Sequence, residues 1–381
     1  MAAKTSSHAD EGHNVGQICS RCIMDTSDPD IVFDEEGICN HCQSYFRLIE
    51  GHTYRGEDGR RRLEEIVQEI KSAGKGKAYD CVLGVSGGVD STYVAHISHE
   101  YGLRPLAVHL DNGWNSQLAV HNIEKVMNKL GIDLHTEVLD WEEFKDLQIS
   151  FLKSSAAIAE IPTDQAQKAV SYKVADKMNI KFVLSGHNLQ TEAILPKAWS
   201  YDTGDTKLIR SLQRHFGTRK LKSYPFMPDW QRYYYNYVRN IKSVRILNYI
   251  NYDKDEAMRV LQDDLDWEYY GGKHYESIYT RFWQSYVLPR KFSFDKRRAH
   301  LSNLICAGQL TRSDALAEML SNPYPEDLSQ QDRDYVITKL GFTEEEFEEI
   351  MNEPIRSYAD YPNNEKLKQK VQSIKSLLRR Y

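Results

Sequence analysis

The alternation of strands and helices between residues 79 and 185 constrains the fold of this chain more than any other feature. Short apolar runs such as YDCVLGV, RPLAVHLDN, DLHTEVLD and IKFVLSG alternate with segments of helical periodicity. This pattern predicts an α/β fold, a parallel sheet with helices on both faces, over residues 79–200. Ligands of such sheets bind at the carboxyl ends of the strands. The residues that follow each strand are therefore the first candidates for a site.

Composition limits the class of protein. With 381 residues and 41% hydrophobic residues, the chain can bury a large core, and it contains no apolar run long enough to span a membrane. The net charge of −6 argues against nucleic acid as the main partner. Residues 1–18 contain no signal-peptide apolar stretch, so we expect a disordered leader and a cytoplasmic protein.

The stretch SGGVDS, from Ser86 to Ser91, lies between the first predicted strand and a helix. Glycines let backbone N–H groups approach an anion, and the helix N-terminus adds positive partial charge. Asp90 beside a phosphate requires a bridging cation such as Mg²⁺. No GxxxxGK[ST] motif is present, so this is not a Walker loop. The alternative is a glycine-rich turn with a capping serine, but the complete hexapeptide after a strand favours phosphate binding.

The hexapeptide resembles the pyrophosphate loop of the PP-loop ATP pyrophosphatases, which have the adenine nucleotide alpha hydrolase-like fold. This family includes GMP synthetase, NAD synthetase, asparagine synthetase and tRNA thiolases. The resemblance implies that ATP is cleaved between its α- and β-phosphates and adenylates an oxygen that is then displaced. LDNGW and SGHNLQTE, after the second and fourth strands, resemble the adenosine and GHN segments of the family. The resemblance assigns ATP binding to Ser86, Gly87, Gly88, Asp90, Ser91, Asp111, Gly186 and His187.

The same resemblance implies that Glu192 is the second Mg²⁺ ligand beside Asp90. A solvated helix residue is the alternative for Glu192.

Four cysteines near the N-terminus form two CxxC pairs, CSRC and CNHC. These cysteines are Cys19, Cys22, Cys39 and Cys42, the candidate metal ligands. Two such pairs can close a tetrahedral four-sulfur shell, which predicts a structural Zn²⁺ in a zinc ribbon-like unit at residues 19–50. The alternative is that these cysteines have a redox or sulfur-carrying role. His41 is not expected to be a metal ligand.

A linker and a helix are predicted at residues 51–78.

Cys81 and Cys306 are the remaining cysteines, and both lie in apolar stretches. We expect them to pack in the core. No cysteine is placed as a glutaminase nucleophile, so ammonia, if it is used, must come from a partner.

A longer set of segments resembles the N-acetyl sugar amidotransferases. These segments are ICSRCIMDTSDPDIVFDEEGICNHC, SGGVDSTY, SGHNLQTE and the block that runs from GGKHYES to TRSDAL, over about residues 18–320. The resemblance implies a role in bacterial surface-polysaccharide assembly, such as lipopolysaccharide O-antigen. It implies conversion of a sugar acetamido group to an acetamidino group with ATP and ammonia, on a nucleotide-linked sugar. It also implies a glutaminase subunit and a cyclase-like subunit that supply the ammonia.

Residues 201–381 are predicted to form a mainly helical region that binds the substrate or a partner. Candidate contacts to substrate or pyrophosphate are Lys273, His274, Arg281, Arg297, Arg298 and, before the fourth strand, Asp164. The alternative for each arginine is a surface salt bridge, and for Asp164 it is a helix N-cap.

The segment from Lys207 to Tyr252 carries ten Lys/Arg residues, a single acid and many tyrosines. RNA contact, nucleotide-sugar binding, docking of an ammonia-supplying subunit and simple packing all stay open for it. The alternative function for the whole chain is a tRNA-modifying, thiolase-type PP-loop enzyme, which needs a persulfide cysteine near the active site. A non-catalytic scaffold would require a loop that has lost its function.

Overall fold

The computed structural model describes residues 16–272, 274–321 and 324–378. Its strands are β1 Cys81–Val85, β2 Pro105–Asp111, β3 Leu134–Val138, β4 Phe182–Leu184 and β5 Lys242–Val244. Its α-helices, α1 to α17 in chain order, are Asn40–His52, Gly56–Ala73, Val89–Glu100, Gln117–Leu130, Trp141–Lys153, Ile161–Lys177, Leu189–Glu192, Thr206–Phe216, Asp229–Tyr233, Lys254–Leu265, Ile278–Phe282, Leu288–Lys291, Arg297–Ala307, Arg312–Leu320, Glu326–Leu340, Glu344–Asn352 and Glu365–Leu378. Short 3₁₀ segments span Lys197–Trp199, Ile246–Tyr249 and Tyr358–Asp360, and π segments span Tyr234–Val238 and Trp283–Val287. Most of the predicted leader, residues 1–15, lies outside the described residues.

The sheet is parallel throughout, in the order β3-β2-β1-β4-β5. This confirms the predicted fold class. The fifth strand comes from residues 242–244, outside the range 79–200 that was predicted for the sheet. Its sequence KSV is short, polar and mostly exposed at the edge of the sheet, so it lacks the apolar run that marks the other strands.

Helices cover both faces of the sheet because alternate residues of a strand point to opposite sides. Val82 packs in one buried cluster with Val170 of α6, whereas Leu83 and Val85 pack in another with Val94 of α3. Both clusters are built of apolar side chains, as expected for a parallel sheet that is buried on both faces.

The C-terminal region packs against the carboxyl ends of the strands. Ser277 forms an isolated antiparallel bridge with Asn115, just after β2. Further along, the Asn303 amide donates to the Ile194 carbonyl oxygen (3.1 Å) and accepts from the Ile194 N–H (2.7 Å). Two loops at the ligand-binding edge are therefore covered by residues more than a hundred positions away.

Within the described ranges, no helix combines the length and the apolar composition needed to cross a lipid bilayer.

Candidate active site

The glycine-rich stretch forms a tight loop between β1 and the N-terminus of α3. Ser86 N–H donates to Ser91 Oγ (3.2 Å), and the two hydroxyl oxygens lie 3.3 Å apart. Gly87 has a φ of +82°, and a Cβ there would lie 2.8 Å from the Ala119 carbonyl oxygen. Only glycine fits this position without displacing the backbone of α4. The close packing of the loop against α4 therefore requires glycine at position 87.

The GHN segment after β4 meets the same helix end. A Cβ on Gly186 would lie 2.7 Å from the Ser91 nitrogen, so the two segments touch through bare backbone. His187 Nδ1 contacts the carboxylate of Glu192, and the Asn188 side chain caps α7 by accepting from the Thr191 N–H (2.9 Å). The structure therefore brings together the loop and the GHN segment, as the sequence predicted.

Three aromatic residues that the sequence analysis missed surround the loop. The Tyr252 hydroxyl donates to Asp90 Oδ1, and Trp267 Nε1 donates to the Gly87 carbonyl oxygen (3.1 Å). The Tyr270 hydroxyl lies 3.4 Å from the position of a Cβ on Gly88. Burial, together with nearby carboxylates, raises the pKa of Tyr252 and of Tyr270 well above the usual value, so both remain neutral. The sequence did not predict their contact with the loop, because they follow it by more than 160 positions and no local motif connects the two regions.

Asp111 lies at the carboxyl end of β2 and accepts from the Gly113 N–H (2.9 Å). Its neighbour Asn112 donates to Thr163 Oγ1 at the start of α6 (3.1 Å), and Lys339 of α15 donates to the Gly113 carbonyl oxygen. The LDNGW turn is thus held between α6 and the C-terminal region, with the Asp111 carboxylate engaged in its own turn.

A cluster of charged side chains surrounds the first turn of α6. Glu160 is the N-cap residue, and its carboxylate accepts from Lys296 Nζ (2.7 Å) and from the Gln284 amide (2.8 Å). Although burial opposes ionisation, Lys296 keeps the pKa of Glu160 below its usual range. Asp164, one turn later, is accessible to solvent, yet desolvation by the surrounding protein and then the charge of Glu160 raise its pKa to about 6. Asp164 is therefore not the N-cap, because Glu160 occupies that position.

A cavity of about 500 Å³ connects the loop to the C-terminal region. Asp90 and Thr191 line it from the sheet side. The C-terminal region contributes apolar side chains, three acids (Asp255, Asp295 and Glu318) and a larger set of basic and aromatic side chains: Lys254, Tyr269, Tyr275, Arg281, Lys296, Arg297, His300 and Tyr324. A cavity of this size is suitable for a small molecule.

The predicted C-terminal contacts divide into two groups. Arg281 and Arg297 line the cavity, each with a carboxylate partner, Asp332 and Asp295 respectively. Arg298 instead pairs with Asp25 (3.0 Å) and donates to the Ile23 carbonyl oxygen (2.9 Å) in the cysteine-rich unit, so the salt-bridge alternative describes its contacts.

His274 has a φ of +66° and lies 3.6 Å from Glu276, near the glycine-rich loop. Lys273 lies outside the described residues.

The four N-terminal cysteines converge at a single point. Their sulfur atoms all lie within 4.8 Å of one another, with Cys19 and Cys42 3.9 Å apart and Cys22 and Cys39 3.7 Å apart. Tetrahedral Zn–S bonds of about 2.3 Å place the sulfurs roughly 3.8 Å apart. The four thiols therefore fit a tetrahedral metal. Among the described residues, they are the only group of three or more His, Cys, Asp or Glu whose ligand atoms lie this close.

His41 contacts Asp28 (2.6 Å), in agreement with its expected bystander role. Cys81 is fully buried in β1, and burial raises its pKa. Cys306 is half-buried and packs against the main apolar cluster, as expected, and its sulfur lies 3.7 Å from that of Cys42. Arg312 of α14 donates to the carbonyl oxygens of Cys19 (3.0 Å) and Cys22 (2.9 Å), a docking contact that the sequence analysis missed.

Two family models match this architecture. Residues 276–375 match the C-terminal domain of the LPS biosynthesis protein WbpG-like family, and residues 80–193 match the queuosine biosynthesis protein QueC. The chain therefore combines a QueC-like PP-loop segment with a WbpG-like C-terminal domain. The WbpG-like domain begins at Glu276, so it includes most of the C-terminal residues that cover the strand ends.

Individual relatives are distant. The tRNA-specific 2-thiouridylase MnmA 2 of Fusobacterium nucleatum subsp. nucleatum is 27% identical over 118 residues, which is 29% of this chain and 34% of that protein. The match thus spans about a third of that relative's length. An NH3-dependent NAD synthetase from Campylobacter jejuni is 17% identical with a TM-score of 0.29, covering 42% of this chain and 73% of that one. The U34-tRNA thiolase NcsA from Methanococcus maripaludis is 13% identical with a TM-score of 0.33, covering 84% and 88%.

Proposed function

We propose that this WbpG-like protein is an ATP-dependent amidotransferase that converts an acetamido group of a nucleotide-linked sugar to an acetamidino group. AMP and pyrophosphate are released. The observation that carries the proposal is the cavity that joins Asp90 at the PP-loop to the basic and aromatic residues of the C-terminal region. An acceptor bound there lies beside the phosphates of an ATP molecule held by the loop.

The chemistry needs two half-reactions. The acetamido oxygen attacks the α-phosphorus of ATP, the bond to the bridging oxygen breaks, and pyrophosphate leaves. Ammonia then forms a C–N bond at the activated carbon while the C–O bond breaks and AMP departs. Mg²⁺, when bound, would neutralise the charge that develops on pyrophosphate. The protein would also align the two reactants in the cavity. It would exclude water, because hydrolysis of the adenylate would waste ATP.

Specific residues support this assignment. The Ser86 and Ser91 hydroxyls and the N-terminus of α3 suit pyrophosphate, and Asp90 and Glu192 are the proposed Mg²⁺ ligands. Arg297, Lys254 and the cavity tyrosines suit an anionic nucleotide-sugar. We further propose that the four cysteines hold a structural Zn²⁺, and that a glutaminase subunit and a cyclase-like subunit supply ammonia in the cytoplasm.

The alternative is a tRNA-modifying, thiolase-type enzyme, and the match to a 2-thiouridylase favours it. Such an enzyme would need a reactive cysteine beside the adenylate. Among the described residues that line the Asp90 cavity there is no cysteine, and the half-buried Cys306 lies against Cys42. This contrast supports the amidotransferase over the thiolase.

The test is an incubation of the protein with ATP, Mg²⁺, ammonium and a diacetamido nucleotide-sugar. AMP and pyrophosphate should appear together with an amidine product in which one oxygen has been replaced by nitrogen, as measured by mass spectrometry. Asp90→Asn should abolish turnover, whereas the exposed Asp263→Asn should not. Formation of ADP, or release of AMP that depends on tRNA alone, would contradict the proposal.

A further inference from the structure

Glu276 brings a carboxylate from the WbpG-like domain to the PP-loop. A Cβ on Gly88 would lie 3.4 Å from Glu276 Oε1. The backbone of this residue is held firmly, because the Ser116 N–H donates to the Glu276 carbonyl oxygen (2.9 Å) and the next residue, Ser277, bridges to Asn115. The side chain is only 16% exposed. The carboxylate is therefore fixed against the phosphate-binding loop.

Half of this carboxylate lacks a partner. Oε1 lies 3.6 Å from His274 Nδ1, whereas Oε2 is buried and forms no hydrogen bond with any part of the chain that the structure describes. Leaving a buried acceptor unsatisfied costs about 1–3 kcal/mol, and more when the group is charged. A bare oxygen in such a position indicates a ligand that supplies the missing positive charge.

The neighbours of Glu276 identify the class of ligand. Phosphate beside Glu276 and Asp90 would be repelled unless a cation lay between them. Asp90 follows Gly88 by two residues on the same loop, and the Tyr270 hydroxyl, like Glu276 Oε1, lies 3.4 Å from the position of a Cβ on Gly88. Carboxylate oxygens are hard ligands, and Mg²⁺ typically takes one or two of them together with phosphate oxygens and waters.

We propose that Glu276 is a ligand, directly or through one water, of the divalent cation that accompanies ATP at the PP-loop. The WbpG-like domain then completes a metal site that begins with Asp90. This inference rests on the ATP site of the proposed function, but not on its sugar or ammonia chemistry.

The test measures Mn²⁺ and nucleotide binding rather than turnover. The full chain, purified with its metal, is titrated with α,β-methylene-ATP, and bound Mn²⁺ is followed by electron paramagnetic resonance. With Mn²⁺ present, Glu276→Gln should weaken Mn²⁺ binding to the nucleotide complex by roughly tenfold or more. Without added divalent cation, the same variant should bind the nucleotide more tightly than the wild type, because one negative charge facing the phosphates has been removed.

These opposite changes distinguish a metal ligand from a residue that only supports the loop. Glu268→Gln is the matched control, since this glutamate pairs with Lys125 at the surface and should alter neither titration. Should Glu276→Gln fail to fold, Glu276→Asp keeps the charge with a shorter reach. It should weaken Mn²⁺ binding without tightening metal-free binding.

An Mn²⁺ affinity within twofold of the wild type would overturn the inference, as would changes of the same sign in both titrations. If the wild type binds no nucleotide at all, the proposed ATP site fails and the inference falls with it.

Discussion

At the scale of single residues, the candidate site contains two carboxylates in unfavourable surroundings and one position that requires glycine. Glu276 keeps an unsatisfied buried oxygen, and Asp164 carries a carboxylate that its surroundings destabilise. Gly87 has a backbone conformation that residues with a Cβ avoid. Such costs are retained where a ligand or reaction benefits from them. Two of these residues allow predictions that need no substrate.

Asp164→Asn should stabilise the protein in a pH-dependent way. The folded-state pKa is about 6, above the usual value of about 4 for an unfolded aspartate. The folded state thus binds the proton more strongly, so wild-type stability is fully retained below about pH 4 and falls as pH rises through 6. The variant lacks this loss. Thermal melts should therefore show equal melting temperatures near pH 4 and a higher value for the variant at pH 7.5.

The charged neighbours of Asp164 are Glu160, Lys168, Lys296 and His274, and they are unchanged in the variant. If the difference in melting temperature between variant and wild type stayed constant from pH 4 to 8, the negative charge of Asp164 would not be what destabilises the folded protein.

Gly87→Ala should be more destabilising than Gly131→Ala, although both glycines have positive φ. At Gly131, φ is +63° and a Cβ would meet nothing within 4 Å, so the cost is conformational, roughly 1–2 kcal/mol. At Gly87 the Cβ would also clash with the Ala119 carbonyl oxygen. Urea unfolding of both variants measures the difference, and nucleotide binding should be lost only in Gly87→Ala. Equal free energies of unfolding would contradict the close packing described for the loop.

At the scale of elements, the cysteine-rich unit is attached to the C-terminal helices by both apolar and polar contacts. Ile23 is buried in a small apolar cluster with Leu301 and Ala315. Arg298 of α13 and Arg312 of α14 reach its backbone, and the Ser302 hydroxyl accepts from the Ile23 N–H (3.3 Å). These contacts, together with the shell of four buried sulfurs, are typical of a structural metal site rather than a catalytic one.

Cys19→Ser and Cys306→Ser should differ in metal content although both lie at this unit. Cys19 belongs to the group of four converging sulfurs, whereas Cys306 only contacts Cys42 from outside. We therefore expect about one zinc per chain in the wild type and in Cys306→Ser, and loss of the metal in Cys19→Ser. Elemental analysis by mass spectrometry tests this. Loss of zinc from Cys306→Ser would instead indicate that Cys306 is a zinc ligand.

At the scale of the whole molecule, the three regions share one core. A single buried cluster contains Met24 of the cysteine-rich unit, Val82 of the sheet, and Phe282 and Val336 of the C-terminal region. Regions that bury apolar surface against each other are expected to unfold together. The N-terminal unit is thus a part of the core rather than a separate appendage.

Removal of the metal should therefore destabilise the entire chain. Calorimetry of the wild type should give one cooperative transition, and a chelator should move that transition to lower temperature as a whole. Cys19→Ser should reproduce the shift without chelator. A small separate low-temperature transition, with the main one unchanged, would show that the unit unfolds on its own.

Local patterns were sufficient to predict the sheet, the PP-loop and the cysteine pairs. Strand periodicity, glycine content and CxxC spacing are properties of short stretches, so β1, Ser86 to Ser91 and Cys19 to Cys42 could be identified before any contact was known. The edge strand at Lys242 escaped because it carries no apolar run. The N-cap role considered for Asp164 was wrong because the helix begins at Ile161, directly after Glu160.

Only the tertiary structure could decide which distant residues complete the site. Tyr252 reaches Asp90, Glu276 reaches the loop at Gly88, and Arg298 turns to the cysteine-rich unit instead of the cavity. No spacing rule links positions separated by more than 150 residues, since their meeting depends on how helices pack over the strand ends. Local motifs can therefore be identified from the sequence, whereas the distant residues that contact them are determined by the tertiary packing.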